Sequence, residues 1–154
     1  MAAADSTPPP RGGFLLAQVG AHAGRRFAER LAPLGITPPH AGILRLIAKT
    51  PDCSQKHVAE GLGVVPSRIV VLIDELVTKG LVARERDLSD RRNYALALTD
   101  TGVDMLKRIG KVAAEHERAL FAALSEEERT TLIGLCRRIA ESEGLKPGVH
   151  PGYR

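Results

Sequence analysis

The stretch Ser54–Gly80 constrains the fold of this chain more than any other. Counting Gln55 as the first position, a small residue (Ala59) falls at the fifth, glycine (Gly63) at the ninth, and apolar side chains (Val58, Val64, Ile69, Leu72) at the fourth, tenth, fifteenth and eighteenth. Two short helices crossing steeply need this spacing. Ala59 lets the helices approach closely, and Gly63 takes up a turn conformation that a Cβ would penalise. Ile69 and Leu72, with Ile73 and Leu76, bury the second helix against the first. The pattern predicts a helix-turn-helix rather than a plain helical hairpin.

The flanking sequence supplies the rest of a mainly α fold, with about six helices and one β-hairpin. A first helix covers roughly residues 14–32, with Phe14, Leu15, Val19, Phe27 and Leu31 as its apolar positions, and ends near Pro33 and Gly35. Thr37 caps a second helix, Pro38 suits its first turn, and Ile43, Leu44, Leu46 and Ile47 form its buried stripe. Ser54 caps the third helix, and the fourth runs from about Pro66 to Lys79, stopped by Gly80. The period then changes: residues 81–86 and 93–98 read as strands, joined by the polar segment Asp87–Arg92. Thr99 caps a fifth helix reaching about Phe121. Ser125, with Glu128 three residues later, forms a capping box that opens a sixth.

These elements divide the chain into a flexible arm (1–13), a helical dimerisation region (14–36 and 99–143), a winged helix-turn-helix domain (37–98) and a flexible tail (144–154). The Pro8-Pro9-Pro10 and Gly12-Gly13 runs mark the arm. Only 3% of the residues are aromatic, so the core must be built from Leu, Ile, Val and Ala. The first, fifth and sixth helices carry more apolar positions than a small three-helix core needs, which predicts burial between subunits.

With Ile69 and Leu72 turned inward, the start of the fourth helix is left free for the major groove of double-stranded DNA: Pro66, Ser67, Arg68 and Val71. Arg68 is the best candidate for gripping a guanine edge with its planar fork; a phosphate contact or a solvated arginine are the alternatives. Ser54, Gln55 and Lys56, at the start of the third helix, are further candidate DNA contacts. Arg84, Arg86, Arg91 and Arg92 cluster about the hairpin, which fits a wing with one arginine in the minor groove; a salt-bridged surface loop is the alternative. Asp90 is placed to hold one of these arginines by a bidentate pair. The net charge of +4 permits an acidic partner without demanding one. Residues 37–100 hold nine Lys/Arg against eight Asp/Glu, so any DNA footprint must come from where the charges sit.

The second helix, the helix-turn-helix, the Asp-Arg-Arg of the wing and the Leu-Thr-x-x-Gly after it (Leu98-Thr99-Asp100-Thr101-Gly102) together resemble the MarR family of winged-helix regulators. The preceding Ala32–Thr37 segment (APLGIT) is similar as well. The resemblance spans about residues 14–142. It implies a triangular homodimer built on helices one, five and six, with two recognition helices about one DNA turn, ~34 Å, apart on a pseudopalindrome. It implies a transcriptional regulator, with a repressor as the family expectation. It also implies release of DNA by a small aromatic acid or phenol bound between the dimer interface and the reading domain. On the helices that would wall such a pocket lie His22, Arg25, Arg26, His40 and His116. His22, Arg26, His40 and His116 are the candidate ligand contacts, with His22 and His40 the preferred pair because each has apolar sequence neighbours. Val70 and Val71 depart from the family, whose recognition helix often exposes Thr and Arg there.

Other classes fit less well. The chain has no Gly-rich phosphate loop, HExxH or GxSxG, so an enzyme is not expected, and the pattern implies no cofactor or metal. Cys53 and Cys136 lie far apart without zinc spacing, and reduced thiols are expected, a redox-responsive regulator being the alternative. No apolar run approaches the ~20 residues of a membrane span, and the N-terminus lacks the basic stretch and following apolar run of a secretion signal, so a cytoplasmic location is expected. A winged-helix module used only for protein contacts is the main rival reading.

Overall fold

The computed structural model describes residues 11–86 and 94–153. Its elements run in the order α1 (Gly12–Leu31), a 3₁₀ turn (Ala32–Leu34), α2 (Pro38–Lys49), β1 (Cys53–Ser54), α3 (Gln55–Leu62), α4 (Pro66–Thr78), β2 (Val82–Arg86), β3 (Tyr94–Leu98), α5 (Asp100–Leu120), α6 (Glu126–Ser142) and a second 3₁₀ turn (Pro151–Tyr153). The six helices are those read from the sequence, with ends moved by a few residues. α1 starts at Gly12, inside the expected arm.

The sheet has one strand more than expected. β3 lies in the middle, antiparallel to β2 on one side (Val82 opposite Leu98, Arg84 opposite Leu96) and to β1 on the other (Cys53 opposite Leu96). β1 is two residues long, too short to show an alternating pattern. Asp52, at positive φ, delivers the chain into it.

The core sits where α2, α3 and α4 meet the sheet. Ile43, Leu44, Ile47, Val58, Ile69, Ile73, Leu76, Val82 and Leu96 are all essentially inaccessible. Each such Leu, Ile or Val contributes about 1.5–3 kcal/mol by leaving water. The helix-turn-helix spacing is realised as read: Gly63 ends α3 at φ +63°, and Val64 N–H donates back to the Ala59 carbonyl. Ser54 Oγ accepts from His57 N–H at 3.1 Å, and Thr99 Oγ1 accepts from Gly102 N–H at 3.0 Å. In the Ser125–Glu128 capping box, Ser125 N–H donates to the Glu128 carboxylate at 2.8 Å.

The Leu98–Gly102 motif is the joint between the reading domain and α5. Thr99 Oγ1 donates to the Gly80 carbonyl (2.6 Å), and Thr99 N–H donates to the Leu81 carbonyl (3.2 Å). A Cβ on Gly102 would lie 2.0 Å from that same Leu81 oxygen, so only glycine admits this approach.

The helical region leaves apolar side chains exposed on α1 and α6. α6 buries none of its residues and α1 buries only Leu31. Phe14, Leu16 and Val19 on α1, and Ile133, Leu135 and Ile139 on α6, are between 38% and 64% exposed.

The segment after α6 is not the loose tail expected from its composition. It folds back over α2 and α3: Lys146 Nζ donates to the Glu60 carbonyl (2.6 Å), and Tyr153 packs on the core beside Gly42. Gly144 and Gly148, both at positive φ, make the reversals.

Candidate nucleic-acid interface

α4 presents two faces of opposite character. Ile69, Leu72, Ile73 and Leu76 are buried, whereas Pro66, Ser67, Arg68, Val70 and Val71 face outward. Pro66 occupies the first helical position and no side chain caps the helix, so its positive end is open to solvent and to a phosphate. Arg68 is exposed and has no ion-pair partner among the described residues. The outward valines have no hydrogen-bonding groups, which limits them to apolar contact such as a thymine methyl.

A second cluster lies behind this face. Ser54, Gln55, Lys56 and Arg84 are brought together with Val70, Asp74 and Tyr94 around a cleft of about 340 Å³. Arg84 is committed inside the protein. Its guanidinium pairs with Asp74 of α4, and with the Gln55 amide turned oxygen-first, Nε and Nη2 both donate to it at 3.1 Å. Gln55 and Arg84, both expected to touch DNA, therefore bond each other. Arg84 ties β2 to α3 and α4, which fixes the hairpin base relative to the recognition helix. Lys56 stays exposed, with only a loose 3.9 Å contact to Glu60. Arg86 ends β2 opposite Tyr94, which is 45% exposed at the hairpin base. Asp90, Arg91 and Arg92 lie outside the described residues.

The expected ligand residues divide between two places. His22, Arg26 and His116 line one cavity of about 550 Å³ between α1 and α5, with Arg30, Val19 and Leu120. His22 Nδ1 accepts from Arg25 (3.1 Å), and Arg26 pairs with Glu29 (3.2 Å). Arg30 Nε is buried without a hydrogen-bond partner among the described residues. Burial, and then the nearby Arg30 and Arg26 cations, hold the His116 pKa below the usual histidine range, so its ring is neutral at pH 7. The cavity thus joins positive charge to a neutral imidazole, which suits an anion bearing an apolar ring. Arg30 was missed in the sequence, although positions 22, 26 and 30 recur at helical spacing and place three basic groups on one stripe of α1.

His40 is not part of this cavity. It is 3% exposed and structural. Its Nδ1 accepts from Thr37 N–H (3.2 Å) at the start of α2, which puts the ring proton on Nε2. Nε2 stands 2.9 Å from Glu75 Oε2 on α4, off the hydrogen-bonding direction. Burial lowers the His40 pKa despite the opposing pull of Glu75. Pairing with His22 fails because the two histidines sit on different elements, and His40 is buried with its Nδ1 bonded to Thr37 and its Nε2 turned toward Glu75.

Cys53 is buried, its thiol pKa raised by desolvation, and Cys136 is half-buried on α6. Burial keeps Cys53 in the unreactive thiol form. No helix among the described residues is long and apolar enough to cross a membrane.

Known proteins repeat this arrangement. The MarR family model matches residues 34–93, which is the helix-turn-helix and most of the wing. A protein of Thauera aromatica named as a transcriptional regulator for the hcr operon is 37% identical over 136 residues, covering 88% of this chain and 82% of that one. The HTH-type transcriptional repressor Rv2887 of Mycobacterium tuberculosis is 30% identical over 129 residues, 84% of this chain and 91% of the relative. Among solved structures, the transcriptional repressor CouR bound to a 23-mer DNA duplex superposes with a TM-score of 0.76 at 32% identity, covering 84% of this chain and 92% of that one. Similarity at this level runs from α1 into α6 and takes in the reading domain and the helical region together, so the chain belongs to the MarR family of transcriptional regulators.

Proposed function

We propose that this chain is a repressor that binds a pseudopalindromic operator as a homodimer and is released by a small aromatic acid or phenol. The observation that carries the DNA reading is the division of α4: its inner face is sealed into the core, and its outer N-terminal face, with Arg68, is left open. Ser67 and Arg68 enter the major groove, Lys56 meets the phosphate backbone, and Arg91 and Arg92 reach the minor groove from the wing, with Asp90 holding one of them. Arg84 and Gln55 act by positioning the hairpin against α4. Similarity to a repressor solved on duplex DNA supports the same reading.

The exposed apolar faces of α1 and α6 support the dimer, since monomers rarely leave such faces in water. A paired Leu16→Glu and Leu135→Glu variant tests this by sedimentation. The expected result is a folded monomer with lost DNA affinity; a dimer of unchanged stability would contradict it.

The cavity between α1 and α5 supports the effector. Arg30 and Arg26 attract a carboxylate, His116 and His22 bond a ring hydroxyl, and Val19 and Leu120 take the ring. By linkage, the ligand lowers DNA affinity only insofar as it prefers the arrangement that cannot bind DNA. Salicylate is a suitable probe: it should weaken DNA binding by the parent protein, and Arg30→Ala should abolish that response without altering DNA affinity in its absence.

A further inference from the structure

The geometry points to the C-terminal segment Leu145–Tyr153 as a strap that seats on Gly42 of α2 and on Gly63 in the turn after α3, reaches α1 at Gly24, and holds the reading domain in its DNA-binding orientation. The segment is built to return to the protein. α6 ends in a Schellman motif, with Leu145 N–H donating to the Ala140 carbonyl and Gly144 N–H to the Glu141 carbonyl around Gly144 at φ +63°. Lys146-Pro147-Gly148-Val149 then forms a type II turn: Gly148 sits at φ +80°, and Val149 N–H donates to the Lys146 carbonyl. His150 Nδ1 accepts from Gly152 N–H (3.0 Å), and the His150 and Tyr153 rings stack at a tilt, 5.5 Å apart. The segment therefore has a definite shape.

Its side chains meet the protein where side chains are missing. Val149 Cγ1 lies 2.8 Å from where a Cβ on Gly63 would stand, at the helix-turn-helix turn. The Tyr153 ring lies 3.2 Å from the corresponding point on Gly42 of α2, and His150 lies 4.0 Å from that on Gly24 of α1. Gly24 and Gly42 lie within helices, where glycine is unfavourable, and neither has a positive φ that would require it. Room for the Tyr153 ring explains Gly42, whereas a Cβ on Gly24 would stand in ordinary contact with His150. Lys146 adds a charge-assisted bond to Glu60 in the last turn of α3, at the negative end of that helix.

The consequence is mechanical. One short segment touches α1, α2, the end of α3 and the turn that leads into α4. A reading domain held in this way binds DNA without first losing its freedom to tilt against α1. His150 also lines a cavity of about 400 Å³ whose wall includes His116 and Leu120, which the cationic cavity shares.

The test compares the full chain with a chain ending at Gly144 and with the point variants Val149→Ser and Tyr153→Ala. Hydrogen exchange is read on peptides covering α3 and its turn, and DNA affinity by anisotropy at two salt concentrations. Removing the strap should speed exchange at 55–64 severalfold while leaving α5 unchanged. It should also weaken DNA binding by roughly 3- to 10-fold with the salt slope intact. Unchanged exchange would overturn the proposal, as would unchanged DNA affinity. A shallower salt slope would also overturn it, by showing that Lys146 contacts phosphate instead. The affinity arm rests on the function proposed above; the exchange arm does not, so failure of DNA binding by the full chain would leave the strap decided by exchange alone.

Discussion

Gly102→Ala isolates the joint between the reading domain and α5. The added Cβ would stand 2.0 Å from the Leu81 carbonyl oxygen and 3.0 Å from its carbon. Both are backbone atoms, so no side chain can swing aside, and the first turn of α5 must move by about an ångström or more to restore contact distance. That movement stretches the Thr99 N–H bond to Leu81, the 2.6 Å bond from Thr99 Oγ1 to Gly80 and the Gly102 cap on Thr99 Oγ1. Loss of the cap costs about 1 kcal/mol. Overpacking against a rigid neighbour adds about 1–3 kcal/mol. The better helix propensity of alanine returns at most about 1 kcal/mol. The net loss is therefore about 1–4 kcal/mol, or a fall in Tm of roughly 2–16 °C for a chain of this size. Thermal unfolding at fixed protein concentration measures it, with Gly110→Ala as the control. Gly110 lies in the same helix with nothing near its Cβ position, so that variant should be neutral or slightly more stable. Equal stability of Gly102→Ala and the parent would refute the account of the Leu-Thr-x-x-Gly motif.

Three further outcomes follow from the geometry. Arg84→Ala should lower both thermal stability and DNA affinity, because it frees Asp74 and Gln55, whereas Arg68→Ala should lower DNA affinity alone; an Arg84→Ala protein of parental stability would make Arg84 a plain DNA contact. The double change Arg91→Ala and Arg92→Ala should leave the dimer intact, weaken binding to all duplexes and reduce the salt slope by about one to two; an unchanged slope would remove the wing from the interface. His40 and His116 both have lowered pKa values, so the unfolded chain takes up protons first as the pH falls below their ordinary value of 6.5. Stability should therefore be greatest above that value and decline as the pH drops through it, and His40→Gln should flatten the decline; identical pH profiles of Tm would contradict the buried neutral role of His40.

Local rules made most of the fold legible. Ser54, Thr99 and Ser125 cap the helices they were expected to cap, and Gly63 and Gly80 take the positive φ their positions demanded. These features depend on residues a few places apart, so the sequence displays them directly. β1 was not legible, because Cys53 and Ser54 become a strand only when β3 arrives beside them. The partnership of Arg84 with Asp74 and Gln55 joins three elements, and at sequence level the arginine could be counted only as a charge near a hairpin. His40 misled for a similar reason: apolar neighbours suggested a cavity wall, whereas its ring serves the start of α2 and stands against Glu75. The tail was misjudged from its Pro and Gly content, although Lys146-Pro147-Gly148-Val149 carries the residue order of a type II turn.

Sequence-selective binding of duplex DNA by a dimer is what the division of α4 and the exposed apolar faces of α1 and α6 together require. The most direct test is a fluorescence-anisotropy titration of the full chain on duplexes flanking its own gene, at two salt concentrations, against a scrambled duplex of equal length. Two chains should bind per duplex, with a preference of at least ~10³-fold over the scrambled sequence and affinity falling steeply as salt rises. Equal affinity for every duplex flanking the gene and for the scrambled sequence would contradict it.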